Sequence, residues 1–227
     1  MHQTFLRCLA LVGAMIAAAG ASMAQEYVTP QGRLSDDDFY RLVTCAAPAG
    51  QPCQKTAARW SKRDAKDLTF GTVFVADGFP PRLQSKVEEG LDRGAEVLNA
   101  SGANLHVRRA KPGERPDILV RFLDIPEGAT IRGTGVRELE GAVIGAATNT
   151  LVWNDAKKLT VCHITSSNNA DLRQVVSGMV EELVQCMGFN TDIGGRYYET
   201  RSIFSETSNS MVSLGDQDIM ALRRHYP

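Results

Sequence analysis

The sequence predicts an α+β fold, because amphipathic helices and β-rich segments alternate along the chain. Segment 170–187 carries an unbroken apolar stripe at helical spacing, at positions 172, 175, 176, 179, 180, 183, 184 and 187. A second stripe predicts a long helix over 80–100, and a final helix is predicted over 215–226. Segments with β-branched and aromatic residues predict strands at 68–76, 104–108, 117–123 and 159–164.

The first 24 residues have the pattern of a secretory signal peptide. Arg7 precedes an apolar run over 8–19, and small residues at 22–24 suit cleavage before Gln25. The run is shorter than the roughly 20 residues that a membrane-spanning helix needs, and no later stretch approaches that length. We therefore expect an exported protein, periplasmic or secreted, without a membrane span in the mature chain.

The charge balance of the mature chain gives no indication of a nucleic-acid partner. The full chain has 25 Lys and Arg against 26 Asp and Glu, so removal of Arg7 leaves 24 against 26 and a formal charge of −2. A basic face is the usual feature of nucleic-acid binding, and no basic block is present. The expected partner is an unidentified protein or peptide.

Four cysteines remain after the predicted cleavage, at positions 45, 53, 162 and 186. An even number in an exported chain predicts two disulfides, for which three pairings are possible. We favour Cys45–Cys53 because these residues are near neighbours. Cys162–Cys186 follows by elimination, and because Cys186 lies where its helix borders the core.

The chain divides into an N-terminal segment over 25–67 and a main domain over 68–227. The first contains a predicted helix that begins after Ser35 and a loop that a Cys45–Cys53 disulfide would close. In the main domain, the glycine-rich stretch 126–149 matches neither a phosphate loop nor a dinucleotide fingerprint. We expect a loop with an irregular edge strand there. Gly90 and Gly94 predict a close approach of helix 80–100 to a sheet.

The helix over 170–187 carries the candidate site. Glu181 and Gln185 lie opposite the centre of the apolar stripe, one turn apart, and Glu182 lies on one flank. Gly188 is the type of residue that ends a helix. On the simplest interpretation, these polar residues form the solvated face of a packed helix.

The same stretch has the spacing of a zinc-protease motif, H-E-x-x-H-x-x-G-x-x-H, without its histidines. With Gly188 as the anchor, Glu181, Gln185 and Thr191 occupy the metal-ligand positions. Glu182 occupies the position of the general base. Carboxylate, amide and hydroxyl oxygens suit a hard cation weakly and zinc poorly. We therefore predict no cofactor, with a weak hard-cation site as the remaining possibility.

Several short sequence segments resemble those of the matrixin-type metzincin catalytic domain. The predicted order of helices and strands from 68 to the end resembles that domain too. P-D-I-L-V-R-F at 116–122 is similar to the A-D-I-x-I-x-F strand, and E-L-V-Q-C-M-G-F at 182–189 to E-L-G-H-x-L-G-L. S-I-F at 202–204 stands at the Met-turn, with Phe204 in place of methionine. L-G-D-Q-D-I at 214–219 is similar to the closing helix. The resemblance implies a zincin-like mixed sheet with a central helix of the active-site type.

The chain also resembles an uncharacterised family of exported proteobacterial proteins and lipoproteins, a domain of unknown function. Members carry E-E-L-x-Q-x-L-G-L-x-N-D followed by S-I-F, which correspond to 181–192 and 202–204 here. All three zinc-binding histidines of active metzincins are missing. The resemblance thus implies a catalytically degenerate peptidase domain that acts as a binding or structural module.

Two other hypotheses stay open. In the first, Glu182 is the general base of a hydrolase that uses no zinc, or a non-zinc cation held by Glu181, Gln185 and Asp192. Asp192 is otherwise interpreted as a capping residue of the turn after Gly188.

In the second, Cys162, His163 and Cys186 hold a metal, which requires that the two cysteines are not bridged.

Overall fold

The computed structural model of the protein describes residues 27–208 and 210–227. The predicted signal peptide, residues 1–24, lies outside this part of the chain. The helices are α1 Asp36–Cys45, α2 Pro81–Ala100, α3 Val175–Gln185 and α4 Asp216–His225, with a short 3-10 helix at Asp64–Asp67. The strands are β1 Tyr27–Val28, β2 Leu68–Val75, β3 Val107–Arg109, β4 Ile118–Phe122, β5 Ala147–Trp153, β6 Leu159–Ser166 and β7 Asp192–Ile193.

The predicted α+β class with a mixed sheet is confirmed. The main sheet has the order β3-β2-β4-β6-β5, in which β5 runs antiparallel to β6 and the other neighbours are parallel. β5 is therefore an edge strand. A separate parallel pair, β1 with β7, connects the N-terminal segment to the chain after α3.

One face of the sheet forms the main core. In β4, Ile118, Val120 and Phe122 are fully buried while Leu119 and Arg121 are only partly so, as the alternation of side chains in a strand requires. Helix α1 contributes to the same core, which contains both Phe39 and Leu42. The N-terminal segment thus packs onto the main domain.

Helices α2 and α3 pack closely, and two glycines of α2 allow it. A Cβ atom at Gly90 would lie 2.5 Å from the Cβ of Met179, and one at Gly94 would lie 2.9 Å from a methyl group of Leu183. The prediction that these glycines approach a sheet was wrong, because their nearest neighbours are residues of helix α3. The predicted stripe of α3 is nevertheless largely buried.

Three predicted boundaries also differ from the structure. Strand β3 begins at Val107 rather than at 104. Helix α3 begins at Val175 rather than at 170, because the chain first makes a turn in which Val175 N donates to Asp171 O at 2.9 Å. The glycine-rich stretch ends in the regular strand β5, which extends to Trp153. The rest of this stretch forms a small second hydrophobic core, which consists of Leu123, Ile131, Leu139 and Ile144.

Both favoured disulfides are present. Cys45–Cys53 closes the loop after α1, and Cys162–Cys186 joins β6 to the end of α3. Disulfides persist in oxidising compartments, which is consistent with export. In the described part of the chain, every helix is too short or too polar to cross a membrane.

Candidate functional site

A cleft lies between α3 and the edge strand β5. It consists of two adjoining cavities of about 350 Å³ and about 590 Å³. Glu182, Gln185 and Asp192 line both cavities, so these side chains form the shared wall. The structure therefore brings the predicted helix residues to a concave surface.

Gln185 is the centre of a hydrogen-bond network on this wall. Its side-chain amide donates to Asp192 Oδ1 at 2.5 Å and weakly to Glu181 Oε1 at 3.5 Å. Asn149 of β5 donates to the Gln185 side-chain oxygen and, at 2.7 Å, to Glu182 Oε2. One amide from the sheet thus ties together two residues of α3.

Burial at the cleft raises the pKa of both glutamates. Desolvation raises the pKa of Glu182 to about 7, although hydrogen bonds from Asn149 oppose the shift. The pKa of Glu181 is raised well above its usual value, first by desolvation and then by the neighbouring carboxylates of Asp192, Glu182 and Glu206. The cleft therefore holds carboxyl groups that retain protons near neutral pH.

Two candidate residues follow α3, and they lie in different environments: Thr191 is buried, whereas Asp192 lines the cleft. Thr191 is buried, and its hydroxyl donates to Asn190 Oδ1 at 3.2 Å, so it does not join the described cleft residues. Asp192 instead accepts from Gln185 and lines both cavities. Gly188 has a φ of +104° and leaves no room for a Cβ atom against Ala58 O, which explains a glycine in this turn.

The residues at the zinc-motif positions do not fit the zinc ion that the metzincin resemblance implies. Zinc prefers nitrogen and sulfur ligands, whereas Glu181 and Gln185 offer oxygens, and the Gln185 amide oxygen already accepts from Asn149. Within the described residues, no group of three or more His, Cys, Asp or Glu side chains is arranged to hold a metal ion.

The hypothesis of a metal site at Cys162, His163 and Cys186 fails because these residues offer no suitable ligands. Cys162 and Cys186 are joined to each other, so neither offers a thiolate. His163 Nδ1 is hydrogen-bonded to Arg121 Nη1 at 2.8 Å.

The S-I-F segment is fixed beneath the cleft by a carboxylate of α4. Asp218 accepts hydrogen bonds from Ser202 Oγ at 2.7 Å, Ile203 N at 2.8 Å and Gly215 N at 2.8 Å. Phe204 then packs against Phe189 with ring centroids 5.2 Å apart. The sequence resemblance assigned S-I-F to a turn and 214–219 to the closing helix, but it did not predict the hydrogen bonds between them.

Sequence reasoning missed two cleft residues. Asn149 lies at the end of the glycine-rich stretch, and only the β5–β6 register, in which it pairs with Ile164, brings it over α3. Glu206 reaches the cleft because the preceding residue, Ser205, forms a β-bridge with Ile193 of β7. Neither residue has a local sequence pattern that indicates this position.

No protein-family model matches the chain, and no curated protein is significantly similar to it in sequence. The motif resemblances therefore stay predictions.

Proposed function

We propose that this protein is an exported binding module with a metallopeptidase-like architecture. It holds an extended peptide segment in the cleft between β5 and α3, and the cleft does not catalyse hydrolysis. The observation that carries the proposal is the position of β5, an antiparallel edge strand that borders the cavities above α3.

An edge strand is a template for another strand. Every second residue of β5 directs its backbone N–H and C=O groups away from β6, and no other strand of the described residues pairs with this side. An added peptide gains main-chain hydrogen bonds from such an edge, while pockets select its alternate side chains. The larger cavity supplies apolar contacts from Leu151, Trp153 and Val143.

The chemistry of the helix supports binding rather than zinc-dependent hydrolysis. At the positions that correspond to zinc ligands, Glu181 and Gln185 hydrogen-bond within the protein. From residue 68 to the end, the described elements follow the order β2, α2, β3, β4, β5, β6, α3, β7 and α4. These features support peptide binding best, in a cleft that lacks the zinc ligands of a peptidase.

The test is a binding titration with peptides that can form a strand. A blocked seven-residue peptide, the length of β5, would be compared with two versions that carry N-methyl groups on alternate residues in opposite registers. We expect one N-methylated register to lose binding and the other to retain it, because only one set of amides faces the edge. Failure of all three peptides to bind at millimolar concentration would contradict the proposal.

Trp153 provides a signal and a variant for this titration. Its side chain is 42% exposed in the groove, whereas the other tryptophan, Trp60, is buried. Peptide binding should shift the Trp153 emission, and Trp153→Ala should weaken binding about tenfold, the effect of losing roughly 1.4 kcal/mol of contact. Phe74→Ala is the matched control, because Phe74 is 49% exposed on β2, away from β5.

The alternative is a metal-independent hydrolase with Glu182 as the general base. The specific observation in its favour is a pKa of about 7 for a carboxyl group that lines two cavities, which suits proton transfer at neutral pH. Any peptide hydrolysis by the purified protein should then disappear in Glu182→Gln while the fold remains. An unchanged rate in that variant removes Glu182 from the mechanism.

A further inference from the structure

The smaller cavity is lined by acidic side chains without basic ones among the described residues. In the part of the chain that the structure describes, its lining has no lysine, arginine or histidine but six carboxylate residues: Glu127, Asp171, Glu181, Glu182, Asp192 and Glu206. Asp171 is paired with Arg173 at 2.7 Å, which compensates its charge. The cavity thus has an excess of acidic groups on its wall and rim.

The positive groups nearby lie outside this cavity. Lys55 lines the adjoining larger cavity, where its ammonium group donates to Asn190 O at 2.8 Å. Arg173, which pairs with Asp171, is exposed and lines a different cavity. On β5, the side chain that faces the carboxylates is the neutral amide of Asn149.

The cavity also has an apolar side. Ala170, Val175 and Met179 also line it, and Met179 is fully buried. A long basic side chain combines an aliphatic stem, which packs on apolar surface, with a charged end group. The shape and charge of the cavity match that combination.

We infer that this cavity takes a lysine or arginine side chain of an extended peptide that lies along β5. The inference rests on the proposed peptide-binding function and names its specificity. The two cavities share Gly145, Ala147 and Glu182 as walls, so a side chain of a segment on β5 reaches the acidic cavity directly. Charge complementarity identifies the residue type.

Proton release accompanies this binding. In the empty cleft, the raised pKa of Glu181 and of Glu182 keeps part of the carboxyl population protonated. A cationic end group stabilises the ionised form, so its entry displaces protons into solvent. Affinity should consequently increase as the pH rises from 6 to 8, and a neutral side chain should not show this dependence.

The test uses two blocked valine–threonine peptides that differ only at the central residue, arginine in one and citrulline in the other. Citrulline keeps the shape of arginine without its charge. Calorimetry at pH 7, where the Glu182 carboxyl is partly protonated, in two buffers of different ionisation enthalpy measures affinity and proton release together. We expect the arginine peptide to bind at least about tenfold more tightly and to release protons, a difference of about 1.4 kcal/mol.

Variants make the assignment specific. The double variant Glu181→Gln/Glu182→Gln should lose most of the arginine preference, and Glu206→Gln, at the exposed rim, should lose a smaller part of it. Glu96→Gln makes the same change of charge on the exposed face of α2 and should leave the preference intact. Thermal unfolding of each variant checks that it is folded.

The outcomes separate the inference from the function on which it rests. Equal affinity of the two peptides for the unaltered protein overturns the basic-residue specificity and leaves the peptide-binding module standing. Binding of neither peptide overturns both. An arginine preference that persists undiminished in the double variant and in Glu206→Gln also overturns the inference, because these carboxylates would not be its source.

Discussion

The protein buries carboxyl groups in two different ways, at α4 and at the cleft. Asp218 is completely inaccessible and accepts three hydrogen bonds, from one hydroxyl and two backbone N–H groups. Glu182 lines two cavities, and its hydrogen-bond donors come from one residue, Asn149. Desolvation raises the pKa of both groups, to about 6 for Asp218 and about 7 for Glu182.

This difference shows why a raised pKa does not identify a functional site. A carboxylate surrounded by donors holds neighbouring chain segments together, as Asp218 holds S-I-F against α4. A carboxyl group with few donors and an open cavity has capacity left for a ligand. The position of the group relative to a cavity, rather than its burial, distinguishes the two roles.

Removal of the Asp218 carboxylate should have the largest effect on stability. Asp218→Ala leaves the buried N–H of Ile203 and the hydroxyl of Ser202 without their acceptor, and the expected loss is about 4 kcal/mol of unfolding free energy. Urea denaturation measures it. Asp216→Ala is the control, because Asp216 is exposed at the same helix start and should cost only a few tenths of a kcal/mol. Equal losses in the two variants would contradict an anchoring role for Asp218.

The Glu182 carboxyl should make stability depend on pH in the opposite sense to an ordinary salt-bridged acid. Its pKa is about 7 in the folded protein and about 4.5 in the unfolded chain, so the folded state binds this proton more tightly. The stabilisation that this tighter proton binding gives the folded state is fully present below pH 4.5 and is lost as the pH rises through 7. It amounts to at most about 3 kcal/mol.

Urea denaturation at a series of pH values, for the unaltered protein and for Glu182→Gln, measures this contribution. Other groups titrate over the same interval, including Asp218, so the informative quantity is the difference between the two proteins. We expect the decrease in stability with rising pH to be smaller in Glu182→Gln. Identical pH profiles would show that Glu182 is solvated and keeps an ordinary pKa.

Much of the fold was predictable because it depends on local periodicity. The stripe in 172–187 and the β-rich segments correspond to α3 and to β2, β3, β4 and β6. β5 was harder to predict as a regular strand. Its residues through Val152 are half-buried on both faces, and its polar threonines and Asn149 give no clear alternation. An edge strand is stabilised by its pairing with β6, which no local pattern records.

The candidate site was predictable only along the helix. The i, i+4 relation places Glu181 and Gln185 side by side in any α-helix, and the structure places them together. Asn149 and Glu206 come to the same cleft through strand register and a bridge between distant segments. Thr191, selected by motif spacing, faces away because the chain turns at Gly188 before it reaches β7.

The smallest expected effect concerns the single amide that connects the sheet to the cleft carboxyls. Asn149→Ala removes a side-chain donor to Glu182 and to Gln185, which should cost about 1 kcal/mol. Because that donor favours the ionised carboxylate, its loss should raise the pKa of Glu182 further. Carbon-detected NMR titration of the glutamate side chains measures the shift. Thr150→Ala, one residue along β5 and therefore on the other face of the sheet, should leave the pKa unchanged. If the two variants shift the Glu182 pKa equally, the amide of Asn149 does not stabilise the carboxylate, and the residues of α3 alone determine its pKa.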